Sequence, residues 1–146
     1  MSAPEGFNTV TPLLIVKDGA GALELYEKAL GAQTVMRLDT PDGEKVLHAV
    51  LQIGNSKIFL GDETDLMKAP SDGAGTRLYI YVEDVDAQHA IALAAGMSEK
   101  HGLEDMFWGD RTTVLNCPHG HTWTLATHKR DVSPEEIAEA MKAMAG

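Results

Sequence analysis

The chain has 146 residues, 44% hydrophobic and 23% charged, the proportions of a globular protein long enough to bury a core without disulfides or a structural metal. Its 22 acidic residues outnumber 12 basic ones, a formal net charge of −10, and no Lys/Arg cluster is present to neutralise phosphates, which argues against nucleic-acid binding. No stretch approaches the roughly 20 apolar residues of a membrane helix, Met1–Glu5 lacks the basic start and apolar run of a signal peptide, and Cys117 is the single cysteine, so a soluble cytoplasmic protein is expected.

Thr9–Val16 is β-branched and apolar and predicts a buried strand. After Asp18-Gly19, Ala22, Leu25, Tyr26 and Ala29 recur at helical spacing, predicting a helix over 20–30 that Gly31 ends. Gln33–Leu38, Val46–Ile53 and Lys57–Leu60 read as strands, with Pro41-Asp42-Gly43 and Gly54-Asn55-Ser56 supplying reversals for an antiparallel meander.

The pattern then restarts. Leu78–Val82 reads as a strand, Asp84 as an N-cap, Val85–Ala95 as a helix, and Gly96 as its stop. Arg111–Asn116 and His121–Thr127 read as the closing strands, turning through Cys117-Pro118-His119-Gly120. Asp18 and Asp84 stand 66 residues apart (84 − 18), and so do Gly54 and Gly120 (120 − 54), the register of an internal repeat. The expected architecture is α+β: one domain of two βαβββ modules whose curved mixed sheets surround a cleft, plus a C-terminal helix. Module 1 is expected at about 7–67, a linker at about 68–75, module 2 at about 76–128, and the terminal helix at about 134–145. Ser133-Pro134-Glu135-Glu136 is a capping-box start for that helix, and Ile137, Ala140, Met141 and Met144 give it an apolar stripe suited to docking on the body or on a second subunit.

Several motifs carry a family likeness: Thr9-Val10-Thr11-Pro12, Tyr26 before Gly31-Ala32, His48-Ala49, Phe107-Trp108-Gly109-Asp110-Arg111, Pro118-His119-Gly120-His121, Trp123, Ala126-Thr127-His128 and Asp131–Glu136. In these the chain resembles the PhnB-like (3-demethylubiquinone methyltransferase-like) branch of the glyoxalase, bleomycin-resistance and dioxygenase superfamily, also called vicinal oxygen chelate proteins. The resemblance implies two curved sheets around a ligand cleft, a small-molecule ligand, and a homodimer that completes the cleft. Metal-dependent relatives place His, Gln or Glu on the first and last strand of each module. Here residues 10–15 offer none, Tyr79 stands where a His is expected, residues 58–60 are Ile, Phe and Leu, and Thr124 replaces a Glu. No metal is expected at that location and no cofactor elsewhere, since a divalent cation needs several N or O donors together. A methyltransferase reading is disfavoured because no strand-to-helix order with a glycine-rich nucleotide loop is present.

His48 is the catalytic candidate. It alternates with Val46, Val50 and Gln52 on one strand face, where it serves as general base or ligand-orienting donor, or else is a satisfied sheet histidine. Trp108 and Arg111 offer an aromatic plate and a guanidinium to a flat or anionic ligand, or else shape the loop. Tyr79, Phe59, Gln52, His121 and Trp123 complete the expected ligand-binding set, with packing as the alternative for each. Three functions stay open: metal-free binding of a small organic ligand, a lyase or isomerase with a relocated metal site at His48 and His121, and a structural dimer with a filled cleft.

Overall fold

Alternating burial along the strands builds the molecule. In the computed structural model, which describes residues 3–70 and 75–145, the order is β1 (Leu13–Val16), α1 (Gly19–Leu30), β2 (Gln33–Asp39), β3 (Val46–Ile53), β4 (Ser56–Asp62), β5 (Leu78–Tyr81), α2 (Val85–Ala95), β6 (Ser98–Asp105), β7 (Asp110–Asn116), β8 (Thr122–His128) and α3 (Pro134–Ala145). The strands form two four-stranded sheets, β1-β4-β3-β2 and β5-β8-β7-β6, and neither closes on itself. In each the first and last strands pair in parallel and the remaining contacts are antiparallel, the βαβββ arrangement written twice. The expected α+β class with a terminal helix is what the chain adopts. Residues 71–74 of the expected linker lie outside the described residues.

One face of each sheet packs on helices. In the first sheet Leu14, Ala49, Leu51, Ile58 and Leu60 are buried beneath α1, whose Ala22, Leu25, Tyr26 and Ala29 are buried in turn. In the second sheet Leu115, Trp123 and Leu125 play the same part. All belong to one core that joins the two halves. Tyr26 packs edge-on against Trp123 with ring centroids 5.0 Å apart, and its hydroxyl lies 3.2 Å from Cys117 Sγ. Burial and the neighbouring thiol push the Tyr26 phenol far above its ordinary pKa, so it stays neutral. Gln88 Nε2 of α2 donates to the Ala29 carbonyl at the end of α1, tying the helices together.

Helix ends follow the sequence cues. Asp18 accepts from Gly21 N at 3.0 Å, Asp84 accepts from Ala87 N at 3.2 Å, and Gly31 closes α1 at φ 67°, in the left-handed region where a side chain is disfavoured. Asp62 does more, because one carboxylate oxygen accepts from Gly19 N at 2.8 Å and the other from Val46 N at 2.7 Å. It thereby fastens the starts of α1 and β3 to the end of β4.

Three local expectations need correction. The first strand starts at Leu13 rather than Thr9, because Pro12 has no N–H for the ladder and Val10 is 80% exposed. Hydrophobic alternation predicts no strand over 98–105, yet β6 forms there as a sheet edge; its residues are exposed apart from half-buried Leu103, so no period-2 pattern marks it. A register shift between Leu38 and Asp39 breaks the alternation in β3, so Val46 is buried beside Gly19 rather than sharing a face with His48.

Candidate functional site

The helix-free faces of the two sheets carry the remaining chemistry. On the first sheet, register brings Leu13, Phe59 and Val50 into one row, with His48 and Gln52 to either side on β3. The His48 ring packs on Phe59 with centroids 4.9 Å apart, and a small hollow of about 140 Å³ opens beside it among Leu13, Ile15, Gly61 and Met67. Gln52 is engaged: it accepts from Lys57 Nζ at 2.6 Å and donates to the Gly54 carbonyl at 2.7 Å.

On the second sheet, Tyr79 and Tyr81 point the same way because they are two residues apart on β5, in rows with Thr124 and Val114, and with Ala126 and Thr112. At the edge of this face lies Asp110, only 2% exposed, paired in register with His128. Its Oδ2 accepts from Tyr79 Oη at 2.5 Å and Tyr81 Oη at 3.0 Å, and its Oδ1 lies 2.7 Å from His128 Nδ1. His128 Nε2 meets Asp131 at 2.7 Å, and Trp108 Nε1 donates to Tyr79 Oη at 3.2 Å.

The electrostatics of this group are coherent. Burial alone raises the Asp110 carboxyl, but the hydrogen bonds from Tyr79, His128 and Tyr81 outweigh it and hold the group below its ordinary value. An ionised carboxylate only accepts, so both ring nitrogens of His128 donate, which requires the imidazolium. Accordingly Asp131 first and Asp110 second raise the His128 pKa. Burial and the bond to Asp110 push the Tyr79 phenol up to about 12, and the Asp110 bond raises Tyr81. Both tyrosines are therefore neutral donors to Asp110 at neutral pH.

The remaining predicted residues lie elsewhere. Arg111 faces α2, where its guanidinium meets Asp86 at 2.7 Å and Asp105 at 3.2 Å, so it does not share the face of Tyr79 and Tyr81. Trp123 is fully buried beneath the helices, and its indole Nε1 has no hydrogen-bond partner among the described residues. His121 Nε2 lies 3.0 Å from the Ile15 carbonyl at the junction of the two halves, beside a hollow of about 370 Å³ that Leu13, Ile15 and Leu78 also line. Burial lowers its pKa, so it is neutral and donates from Nε2. A larger hollow of about 650 Å³ lies near the start of β7, bordered by Asp105, Phe107, Arg111, Lys129 and Arg130, with the Arg111 charge already paired.

Tyr79, Phe59, His48, Gln52 and Trp108 thus occupy or border helix-free faces. Asp110, His128 and Asp131 are not among the residues expected at the site. The Tyr79-x-Tyr81 spacing was a usable signal for the aromatic pair, but only strand register puts Asp110 opposite His128.

The metal-ligand positions of the expected fold carry Leu13 and Ile15 on β1, Phe59 on β4, Tyr79 on β5 and Thr124 on β8. Hydrocarbon and neutral hydroxyls do not make a donor set for a divalent cation, and among the described residues no three His, Cys, Asp or Glu side chains come together to hold one. No helix of the described residues is long and apolar enough to cross a membrane.

A family model described as Glyoxalase/Bleomycin resistance protein/Dioxygenase superfamily matches residues 6–125. An uncharacterized protein of Mycobacterium bovis is 38% identical over 141 residues, covering 92% of each chain. Among solved structures, the fosfomycin resistance protein FosX from Listeria monocytogenes superposes with a TM-score of 0.68 at 14% identity, covering 89% of this chain and 97% of that one. The PhnB protein from Bacillus cereus superposes with a TM-score of 0.62 at 16% identity, covering 82% and 99%. At these identities the structural likeness speaks for the fold alone.

Proposed function

The chain belongs to the glyoxalase/bleomycin resistance protein/dioxygenase superfamily, and from that premise we propose that it binds a small organic ligand on the helix-free face of its sheets, without a metal, as a PhnB-like member. The observation that carries this reading is the Tyr79, Tyr81 and Trp108 group over buried Asp110. Large aromatic surfaces stand partly open to solvent there, 42% for Tyr79 and 64% for Tyr81, while the polar groups beneath them are fixed by mutual hydrogen bonds. A binding site needs that combination: apolar area for affinity and a few rigid polar atoms for orientation.

A homodimer is part of the proposal. Leu13, Met36 and Leu38 on the first sheet and Tyr79 and Tyr81 on the second are each more than 40% exposed, and exposed apolar side chains grouped on one face are what an interaction surface presents. A second copy laid over these faces converts them into a cleft.

The test is thermal unfolding of chelator-treated protein against a panel of small organic ligands and, separately, divalent cations. A ligand that binds only the folded state raises its midpoint. Stabilisation by an organic ligand with no dependence on added metal is expected. Stabilisation by one metal per chain, lost in His48→Ala, would overturn the proposal.

A further inference from the structure

The hydrogen-bond polarity of the aromatic group specifies what it takes. Asp110 is an acceptor only, and it uses the hydroxyl protons of both Tyr79 and Tyr81. Each phenol oxygen therefore offers outward nothing but lone pairs. Trp108 Nε1 already fills one of these on Tyr79, which shows the polarity at work; the donor nearest the Tyr81 oxygen is the Tyr79 hydroxyl, whose proton is committed to Asp110. A ligand reaching this floor has to bring protons to it.

The charge balance points the same way. His128 contributes one positive charge, but it lies between Asp110 and Asp131 at 2.7 Å from each, so the two carboxylates more than cancel it. Glu83 and His128 border the open hollow of about 480 Å³ beside Tyr81. The nearby cations Lys129 and Arg130 face a separate hollow, with Glu104 and Asp105. The two tyrosine rings, 5.4 Å apart and inclined at 59°, present π-faces of the sort that attract cations.

We propose that Tyr79, Tyr81 and Trp108, braced by Asp110, form a subsite for a hydrogen-bond-donating organic cation, a protonated amine carried on an apolar or aromatic body. The amine gives its protons to the phenol oxygens, chiefly that of Tyr81, and its charge is met by the ring faces and by the surplus carboxylate. The inference rests on the ligand-binding reading above and adds the ligand's chemical class.

The probes are benzylamine, benzyl alcohol and benzoate, three molecules of one shape and different charge, titrated into the full chain and followed by amide and indole chemical shifts in ¹H–¹⁵N spectra. Benzylamine is expected to bind about tenfold more tightly than benzyl alcohol, with benzoate weaker still, and to shift the Trp108 indole resonance. Tyr81→Phe, which keeps the ring and removes the accepting oxygen, is expected to weaken benzylamine at least several-fold, and an amide spectrum unchanged away from this face shows that the variant is folded. Benzoate or benzyl alcohol binding this face as well as benzylamine would overturn the cation subsite and leave the wider binding function standing. So would benzylamine binding unchanged in both Tyr79→Phe and Tyr81→Phe. If none of the three probes shifts the face, the subsite is refuted; only an organic panel without any stabilising member refutes the binding function as well.

Discussion

Replacing Asp110 by Asn is the perturbation that reads the site most fully. The carboxylate is 2% exposed and serves two tyrosine hydroxyls and one imidazolium nitrogen. The amide keeps the shape but exchanges one accepting oxygen for a donating NH₂, so at least one of the three donors faces another donor. Hydrogen bonds to a buried charge contribute about 1.5–3 kcal/mol each, but Tyr79 and Tyr81 regain water on their open sides, which reduces the net loss to about 2–3 kcal/mol. For a domain of this length that lowers the thermal midpoint by about 5–10 °C. Denaturant unfolding gives the stability, and the His128 ring proton titrated by NMR gives the charge: with one carboxylate partner gone, its pKa falls toward the ordinary 6.5. An Asp110→Asn protein of parent stability, with an unmoved His128 titration, would refute the reasoning that Asp110 organises this face.

The pH dependence of the parent follows from the same pair. The contribution of His128, whose pKa is raised on folding, is complete below about pH 6.5 and is lost as pH rises through its folded value; that of Asp110, whose pKa is lowered, is complete above about pH 3.8 and is lost as pH falls through its folded value. A stability–pH curve measured by denaturant unfolding is expected to sag on the alkaline side in the parent, and less in His128→Gln. Asp62→Ala removes the acceptor of both Gly19 N and Val46 N and is expected to cost about 2–4 kcal/mol by the same assay; a cost below about 1 kcal/mol would mean that the two backbone donors find water instead. At Gly109→Ala the new Cβ meets the Arg130 carbonyl oxygen head-on at a backbone φ of 103°, so a loss of about 3 kcal/mol or more is expected, with faster amide exchange in the 106–110 turn.

The repeat, its helices and most of its strands were legible because glycines and capping aspartates punctuate both halves and because buried strands advertise themselves by composition. Leu51 and Leu60 sit in the core that their patterns imply. Strand β6 was illegible for a physical reason: an edge strand that is mostly exposed obeys no hydrophobic alternation, and pairing with β7 alone makes it a strand. The candidate site was legible by half. Tyr79 and Trp108 announce themselves as aromatic residues in a strand and a loop, but Arg111 and Trp123 could be assigned a face only once the register of β7 and β8 was known. The pairing of Asp110 with His128 joins residues 18 positions apart through that same register, with Asp131 meeting the other nitrogen of the imidazole from three residues along, and no local pattern marks it.

The most direct test of metal-independent ligand binding uses the two indoles as built-in reporters. Trp108 touches the open aromatic face and Trp123 is sealed in the core, so an organic ligand added to chelator-treated protein is predicted to shift the Trp108 indole resonance and the amides of Tyr79 and Tyr81 while Trp123 stays still. Shifts that centre on His48 and His121, vanish on chelation and return with a divalent cation would contradict it.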